Sequence, residues 1–463
     1  MLSPACFGSY DIRGKIGHTI DTDLAFRTGA AFASVMQPKT VVVGRDCRPS
    51  SPKLAQAVIN GLRRSGVDVI DIGLSGTEEM YFATDHFGAS GGITITASHN
   101  PIDYNGMKMV AEGSRPLTDV EFRQIGLTTG GPMHATEQIG TCVEASARAT
   151  YANHLVDMID TVRLRPTRMV VNACGVAGPA FDAVLDTLRT RGPKVEVTRL
   201  NHEPDPAFRN GIPNPMLPEQ HAATGDAVVA ARAQFGVAWD GDFDRCFFFD
   251  ETGAFVDGEY VVALLAQAAL ARHPAATIIH DPRIVWNTQR VVSEHGGVSH
   301  QSKTGHAYLK AAMRETGAIY GGEMSAHHYF SSFMNCDSGM IPWLMMAELL
   351  SITRMHLSQL VAEMKALHPS SGELNFTVTD PETTIAQIKA RYLGQAVDVE
   401  NCDGLSMSFE TWRFNLRCSN TESLLRLNVE TRGDPVALAQ HVHDLTELMH
   451  PTETVIAPTR RSA

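Results

Sequence analysis

Positive charge is scarce in this 463-residue chain, which has 39 lysines and arginines against 51 aspartates and glutamates. The formal net charge of −12 argues against a nucleic acid or an anionic membrane as the main partner. Long apolar runs are also missing. The most apolar stretches, "YVVALLAQAALA" and "SGMIPWLMMAELL", are too short to cross a bilayer and predict buried helices.

Cysteines are few and are not arranged in pairs. The eight cysteines form no C-x-x-C motif, which is typical of reduced thiols inside the cell and excludes a zinc-finger pattern. The first residues, "MLSPACFGSYDIRGK", contain no apolar core of a signal peptide. We therefore expect a cytoplasmic protein that is a monomer or a homodimer.

A strand–helix–glycine–strand pattern occurs three times along the chain. The copies begin at "TVVVGRD", "RMVVNACG" and "ATIIHDP". In the first copy Leu54, Val58 and Leu62 recur every four residues and should share one helix face. Strand–helix–strand units of this length predict parallel pairing, and their spacing predicts three similar α/β domains rather than one large sheet.

The last hundred residues follow another pattern. Strands at "ELNFTVTD", "MSFETWRFNLRCS" and "SLLRLNVET" come before one closing helix, which predicts a small α+β domain on an antiparallel sheet. The predicted domains are 1–145, 146–250, 251–367 and 368–463.

The stretch "TASHNPIDYNGMK" places Ser98, His99 and Asn100 on a turn directly after a predicted strand. Ligands of α/β sheets bind at such strand ends. An ordinary serine turn is the alternative. G-x-S-x-G is absent, and adjacent residues do not form the Ser–His relay of acyl transfer. We therefore expect Ser98 to be a nucleophile of another kind, with His99 not acting as its base.

The stretch "GVAWDGDFDR" offers a metal site. Asp240, Asp242 and Asp244 alternate, so an extended backbone would project all three carboxylates to one side. Gly241 would let the chain curl so that they converge on one cation, and oxygen ligands of this kind suit Mg²⁺. Arg245 could pair with an aspartate or a phosphate. A solvated acidic turn is the alternative.

Four further groups of polar residues could contact a ligand. A carboxylate beside a hydroxyl in "GGEMSAHHYF" would suit a sugar, and the donors in "RCSNTES" would suit a phosphate. Each group has a plain surface or turn as its alternative, and Arg45 with Asp46 should brace a domain rather than touch substrate. The candidates are Glu323, Ser325 and His327; Arg417, Ser419, Asn420 and Thr421; Lys303 and His306; and Tyr10, Arg13, Arg45 and Arg48.

Taken together, "TASHNP…NGMK", "DGDFDR", "KTGH", "GEMSAHH" and "RCSNTES" resemble the α-D-phosphohexomutase superfamily. The blocks "YDIRGK", "SGTEEMYFAT" and "IPNPMLPE" are similar to the bacterial phosphomannomutases that supply GDP-mannose synthesis. The resemblance covers the whole chain. It implies three mixed-sheet α/β domains and a C-terminal, TATA-binding-protein-like α+β domain around a central cleft.

The resemblance also implies residue roles. Ser98 would carry the phosphoryl group and, with Asp240, Asp242 and Asp244, would bind Mg²⁺. Lys108, with a lowered pKa, would be the general acid or base, and His327 would be the second candidate; Arg245 and His306 would also be catalytic. The substrate would contact the following residues: Tyr10, Arg13, His99, Asn100, Lys303, Glu323, Ser325, Arg417, Ser419, Asn420 and Thr421. Mannose 6-phosphate and mannose 1-phosphate would interconvert through mannose 1,6-bisphosphate, which would also act as activator.

Two positions depart from the family pattern, and several alternatives stay open. Ser423 replaces the proline usual in the phosphate loop, and Cys174 stands where glycine is common. The glucosamine mutases usually have Gln where Met324 stands, which favours a neutral hexose. The alternatives are a mutase acting on both mannose and glucose phosphates, an aspartyl-phosphate phosphatase and a non-catalytic sugar-phosphate sensor.

Overall fold

The computed structural model describes residues 4–132, 138–283, 285–418, 424–449 and 453–455. The chain divides into two compact units. Unit 1 comprises Met1–Phe255 and His327–Arg354, and unit 2 comprises Val256–Ala326 and Met355–Ala463. Within the described residues, no helix has both the length and the apolar character needed to cross a membrane.

The helices bury apolar faces against sheets. They are α1 (Thr22–Met36), α2 (Ser51–Arg64), α3 (Thr77–His86), α4 (Asp119–Thr129), α5 (Arg148–Asp157), α6 (Ala177–Thr190), α7 (His221–Ala231), α8 (Gly258–Arg272), α9 (Trp286–Glu294), α10 (His306–Thr316), α11 (Met340–Thr353), α12 (Leu357–Leu367), α13 (Pro381–Tyr392) and α14 (Pro435–Met449). The two most apolar stretches of the sequence form α8 and α11, which are buried as predicted.

The strands are short, as is usual in globular proteins. They are β1 (Ile12–Lys15), β2 (Thr40–Arg45), β3 (Asp68–Leu74), β4 (Gly91–Ile95), β5 (Tyr104–Ala111), β6 (Cys142–Glu144), β7 (Thr167–Asn172), β8 (Val195–Leu200), β9 (Phe235–Trp239), β10 (Cys246–Asp250), β11 (Phe255–Val256), β12 (Thr277–His280), β13 (Val298–Gln301), β14 (Tyr320–Gly322), β15 (His328–Phe330), β16 (Cys336–Asp337), β17 (Leu374–Thr377), β18 (Asp398–Glu400), β19 (Leu405–Ser408), β20 (Trp412–Cys418), β21 (Leu424–Thr431) and β22 (Glu453–Val455).

Unit 1 contains two mixed sheets, each built on a predicted strand–helix–strand unit. The first sheet has the order β1-β5-β4-β2-β3-β6, and the second has the order β11-β10-β9-β7-β8. The pairs β2–β3 and β7–β8 are parallel, whereas β4–β5 and β9–β10 are antiparallel. Leu54, Val58 and Leu62 of α2 all lie in the apolar core, which confirms the helix face predicted from their spacing.

Unit 2 contains the third strand–helix–strand unit and the C-terminal sheet. Strand β12 pairs in parallel with both β13 and β14. The C-terminal sheet has the order β18-β19-β20-β21-β17-β22, and its assigned pairs are antiparallel. Its core is apolar and aromatic, with Trp412 and Phe414 buried at its centre. The predicted fold class, three similar α/β sheets followed by an α+β sheet, is confirmed.

Candidate active site

The Ser98 turn follows β4 at the carboxyl edge of the first sheet. Ser98 has a φ of 50°, in the left-handed region that residues other than glycine rarely adopt. Thr96 Oγ1 accepts a hydrogen bond from Ser98 N at 2.9 Å, and Asn100 N donates to Ala97 O at 3.0 Å. The buried Ser98 Oγ donates to Asp240 Oδ2 at 2.6 Å, so the predicted nucleophile and the first aspartate meet.

The three aspartates lie in the turn between the antiparallel strands β9 and β10. The prediction of an extended backbone is therefore wrong, because Phe243 takes a φ of 45° and curls the chain. Carboxylate oxygens of Asp240, Asp242 and Asp244 nevertheless lie within 4.8 Å of one another. A Cβ at Gly241 would lie 2.4 Å from the carbonyl oxygen of Ser98, so glycine is needed for the close approach of the two turns.

The charges of this carboxylate triad fit a bound cation. One oxygen of each aspartate is bonded within the protein: Oδ2 of Asp240 accepts from Arg245 at 2.7 and 2.9 Å, and Oδ2 of Asp242 accepts from Lys108 at 2.7 Å. The Oδ1 atoms of all three are buried, and those of Asp240 and Asp242 accept no hydrogen bond from the described residues, whereas His327 Nε2 lies 3.5 Å from Oδ1 of Asp244. Buried carboxylate oxygens left in this way are costly unless a cation or a further donor satisfies them.

Lys108, on β5, bridges two carboxylates of the triad. Its ammonium contacts Asp242 and Asp244. Burial opposes the charge of Lys108, but the two carboxylates outweigh burial and raise its pKa above the usual value. The predicted lowered pKa is therefore wrong. Burial would likewise raise the pKa of Asp244, but Lys108 and His327 hold that pKa well below its ordinary range.

Two histidines flank the triad. His99 Nδ1 lies 3.0 Å from Ser98 Oγ and 2.5 Å from Arg245 Nη2. The guanidinium of Arg245, together with burial, holds the pKa of His99 well below its usual range, which makes the imidazole a weak proton acceptor. His327 Nε2 lies 3.5 Å from Asp244 Oδ1.

The N-terminal candidates differ in their contacts with the Ser98 turn. Arg13, on β1, donates to Asn100 Oδ1 at 2.8 Å and pairs with Asp11 at 2.8 Å. Tyr10 lies just before that strand and is partly exposed. Arg45 pairs with Asp71 at 2.8 Å, so it links β2 to the neighbouring strand β3 as a bracing residue would, although its partner is Asp71 and not Asp46.

The sugar-binding candidates of unit 2 cluster at the ends of β13 and β14. Glu323 Oε1, which is buried, accepts a hydrogen bond from Gly305 N at 2.8 Å. This bond fixes the "KTGH" turn at the start of α10, which carries His306, and the Lys303 ammonium lies 4.9 Å from the centre of the Tyr308 ring. Ser325 follows in the turn after β14 and is partly exposed.

Arg417, at the end of β20, is one of three arginines around a single carboxylate. Its Nη2 donates to Glu373 Oε2 at 2.7 Å, and Arg283 and Arg426 lie 3.4 and 3.5 Å from the same group. The other residues of the predicted phosphate loop, Ser419, Asn420 and Thr421, lie outside the described residues, as does Ser423.

Three structural details were not predicted from the sequence, although Arg48 and Cys174 were named there. Thr77 Oγ1, at the start of α3, donates to Asp242 Oδ2 at 2.6 Å. Arg48 is buried against the Ser98 turn; its only signal was its place just after β2, which neighbours β4. Cys174 has a φ of 49°, which explains why glycine is common there: the position uses the left-handed conformation that glycine adopts freely.

Four family models match the chain in order. They describe the phosphoglucomutase/phosphomannomutase α/β/α domains I, II and III and the C-terminal domain, at residues 4–126, 149–253, 257–367 and 373–448.

Full-length relatives agree with these matches. A phosphomannomutase of Salmonella typhimurium is 49% identical over 97% of this chain and all of the relative. A relative from Xanthomonas campestris pv. campestris, described as "Phosphohexose mutases", is 49% identical over 97% of this chain and all of the relative. The crystal structure of a phosphoglucomutase/phosphomannomutase family protein from Burkholderia thailandensis is 31% identical, covers 98% of this chain and 100% of its own, and has a TM-score of 0.86. The chain belongs to the phosphoglucomutase/phosphomannomutase family, within the α-D-phosphohexomutase superfamily.

Proposed function

We propose that this protein is a phosphomannomutase, an isomerase that interconverts mannose 6-phosphate and mannose 1-phosphate. The observation that carries the proposal is the 2.6 Å hydrogen bond from Ser98 Oγ to Asp240 inside the carboxylate triad. It joins a strand-end serine to a cluster of anions, which suits phosphoryl transfer and not acyl transfer. The phosphomannomutases among its full-length relatives support mannose phosphate as the substrate.

The reaction proceeds in two transfers. A free hydroxyl oxygen of the hexose phosphate attacks the phosphorus carried on Ser98 Oγ, and the Oγ–P bond breaks. The hydroxyl proton passes to a protein base, and Ser98 Oγ takes up a proton as it leaves. The resulting hexose 1,6-bisphosphate then reorients in the site, so that its other phosphate faces Ser98. Ser98 Oγ then attacks the other phosphorus of the bisphosphate and gives its proton to a base. The bond between that phosphorus and the sugar oxygen breaks, and the sugar oxygen takes up a proton, which restores phosphoserine and releases the product. Free bisphosphate serves as activator because it can phosphorylate Ser98 directly.

The residues around Ser98 position the reacting groups and neutralise the negative charge of the phosphoryl group. Asp240, Asp242 and Asp244, with an oxygen on Ser98, would hold Mg²⁺, which supplies positive charge against the transferring phosphoryl group when it is bound. Arg245 and Arg13 keep guanidinium groups beside the turn. His99 and Asn100 keep the shape of the turn and contact its phosphate.

Proton transfer and substrate binding complete the proposal. Lys108 and His327 are the candidates for moving the proton, because both contact the triad beside Ser98. Lys108 is protonated because its pKa is raised, so it would serve as the acid, and His327 is the candidate for the base. Glu323 and Ser325 bind sugar hydroxyls, with Lys303 and His306 on the adjoining turn and Tyr10 as a further contact. Arg417 binds the non-reacting phosphate, since its Nε is buried and has no partner among the described residues. Ser419, Asn420 and Thr421 follow in the same loop and are the further proposed donors to this phosphate.

The cellular role follows from this chemistry. All eight cysteines are free, which is typical of a reducing compartment, and we place the enzyme in the cytoplasm, where it supplies mannose 1-phosphate for GDP-mannose synthesis. The proposed domains remain 1–145, 146–250, 251–367 and 368–463, in a monomer or a homodimer without nucleic-acid or membrane partners.

A second candidate is a mutase that uses both mannose and glucose phosphates. The phosphohexose mutases of Xanthomonas campestris favour it, since they are as similar to this chain as the phosphomannomutases. One coupled assay separates the two: mannose 1-phosphate and glucose 1-phosphate are compared as substrates at equal bisphosphate concentration. We expect a higher kcat/KM for mannose 1-phosphate. Equal values would assign the dual activity, and turnover of neither substrate would reject the mutase.

A further inference from the structure

Arg48 lies buried beneath the Ser98 turn and binds its backbone at four points. Nη2 donates to the carbonyl oxygens of Ser98 at 2.9 Å and Asn100 at 2.7 Å. Nη1 donates to those of Pro101 at 2.6 Å and Tyr104 at 3.1 Å. One planar guanidinium thus binds four carbonyl groups between Ser98 and the start of β5.

Asp46 orients this guanidinium. Arg48 Nε donates to Asp46 Oδ2 at 3.1 Å, and Arg48 N donates to Asp46 Oδ1 at 3.0 Å. Ser51 Oγ donates to the same carboxylate at 2.5 Å, and Asn105 Nδ2 donates to Ser51 Oγ at 2.9 Å. The carboxylate and its partners are buried, so the network has one arrangement rather than several.

All five N–H groups of the Arg48 guanidinium are used by these contacts. A guanidinium has five donors and no acceptor, and here one donor meets Asp46 while four meet carbonyl oxygens. No donor is left for a substrate. Arg48 therefore makes no hydrogen bond to a substrate, and its hydrogen bonds to the site all run through the backbone of the turn.

That backbone needs an external support. Ser98 occupies the left-handed region, which is unfavourable for a residue other than glycine unless the surroundings hold it there. The Ser98 carbonyl oxygen lies against Gly241 on the triad turn and receives Arg48 Nη2. These two contacts set the plane of the peptide that carries Ser98, and so the direction in which Oγ points.

We propose that Arg48, oriented by Asp46, is the positioning residue that holds Ser98 Oγ against the carboxylate triad. The inference rests on the proposed function of Ser98 as phosphoryl carrier. Lysine cannot replace Arg48, because a single ammonium cannot reach four carbonyl groups in one plane. Loss of the guanidinium should leave substrate binding intact and misplace the attacking oxygen.

The test compares Arg48→Lys and Arg48→Ala with the matched control Arg45→Ala. Arg45 is the neighbouring arginine on the same strand end, pairs with Asp71 and does not touch the Ser98 turn in any described contact. We expect kcat to fall about 100-fold in both Arg48 variants, the loss typical of a misplaced reacting group, while KM for mannose 1-phosphate stays within about threefold of the wild-type value. Arg45→Ala should keep its kcat.

Chemical rescue separates positioning from general stability. Low millimolar guanidinium should raise the kcat of Arg48→Ala by occupying the space left by the side chain. It should not raise the kcat of the wild type or of Arg45→Ala. A folded Arg48→Lys enzyme with wild-type kcat, or an Arg48→Ala enzyme that guanidinium does not rescue, would overturn the inference.

Two further variants distinguish a failure of the positioning role of Arg48 from a failure of Ser98 as the phosphoryl carrier. If neither Arg48 variant folds, Asp46→Asn tests the same link, and an unchanged kcat in that variant would refute the inference. Ser98→Ala is measured alongside: activity in Ser98→Ala would reject Ser98 as carrier, whereas an inactive Ser98→Ala with fully active Arg48 variants would reject only the positioning role.

Discussion

Lys108 Nζ lies 2.7 Å from Asp242 Oδ2 and also contacts Asp244, so one buried ammonium joins two members of the carboxylate triad. Without a divalent cation, this lysine and Arg245 supply the positive charge nearest to the three aspartates in the described hydrogen bonds. The pairing means that the metal and Lys108 act on the same carboxylates and that their effects on stability are coupled.

Replacement of Lys108 by Met should therefore destabilise the metal-free protein strongly. Removing one partner of a buried ion pair typically costs about 3–5 kcal/mol, because the remaining charges stay buried without compensation. Mg²⁺ should stabilise the variant more than the wild type, since the added cation replaces the lost charge. Urea unfolding in chelator and in excess Mg²⁺ measures both effects, and chelator should abolish the activity of the wild type until Mg²⁺ is restored.

The matched control is Lys15→Met. Lys15 pairs with Asp103 at 2.9 Å, but both side chains are about half exposed, so solvent screens the pair and stability should change little. The account of the triad fails if Mg²⁺ stabilises the wild type and Lys108→Met equally, or if activity persists in excess chelator.

Glu78, at the start of α3, gives the protein a pH-dependent stability. Burial raises its pKa to about 8, although the carboxylate accepts hydrogen bonds from Tyr151, Ser338, Gly339 and Met340. The folded state therefore holds a proton that the unfolded chain releases near pH 4.5. The stabilisation is complete below pH 4.5 and is lost as the pH rises to 8, by about 1.4 kcal/mol for each pH unit in that window.

Glu78→Gln, which cannot titrate, should lack this slope. The stability of the variant relative to the wild type should rise between pH 5 and pH 8 and stay level above pH 8, as measured by urea unfolding at fixed ionic strength. A stability difference that is independent of pH across that window would show that Glu78 is ionised in the folded protein throughout.

Arg417→Ala should weaken the binding of mannose 6-phosphate and of mannose 1-phosphate by similar factors. Charge-assisted hydrogen bonds to a phosphate contribute about 1.5–3 kcal/mol, which corresponds to a loss of about ten- to a hundredfold in affinity. The bisphosphate should also escape before its second transfer, so added bisphosphate should raise the activity of the variant more than that of the wild type.

Arg432→Ala is the control for that loss. The Arg432 guanidinium lies over the Trp286 ring at 4.2 Å and donates to Glu410 O at 3.0 Å, away from the Glu373 cluster. Its removal should leave both substrates unaffected. If Arg417→Ala impairs only one of the two substrates, the same arginine does not bind the non-reacting phosphate in both orientations.

Local patterns in the sequence were enough to predict much of the fold. The four-residue spacing of Leu54, Val58 and Leu62 identified the buried face of α2. The repeated strand–helix–strand units predicted the parallel pairs β2–β3, β7–β8 and β12–β13. Alternating aspartates identified the triad, because carboxylates at that spacing converge in a strand and also in the tight turn that the structure shows.

Contacts between distant segments could not be predicted in this way. Arg48 lies 50 residues from Ser98 in sequence, and its role depends on the pairing of β2 with β4, which no local pattern specifies. The pKa of Lys108 depends on Asp242 and Asp244, more than 130 residues away. Arg45 pairs with Asp71 rather than with its neighbour Asp46 because β3 lies alongside β2 in the sheet.

The central claim, that Ser98 carries the phosphoryl group, is tested most directly by peptide mass spectrometry of the enzyme after incubation with mannose 1,6-bisphosphate and Mg²⁺. The account predicts an addition of about 80 Da on the peptide containing Ser98, in acid-stable form, and its transfer to added mannose 6-phosphate within one turnover. Ser98→Ala should carry no such phosphate and should lose nearly all mutase activity. A hydroxylamine-labile phosphate on Asp240, or wild-type turnover in Ser98→Ala, would contradict the account.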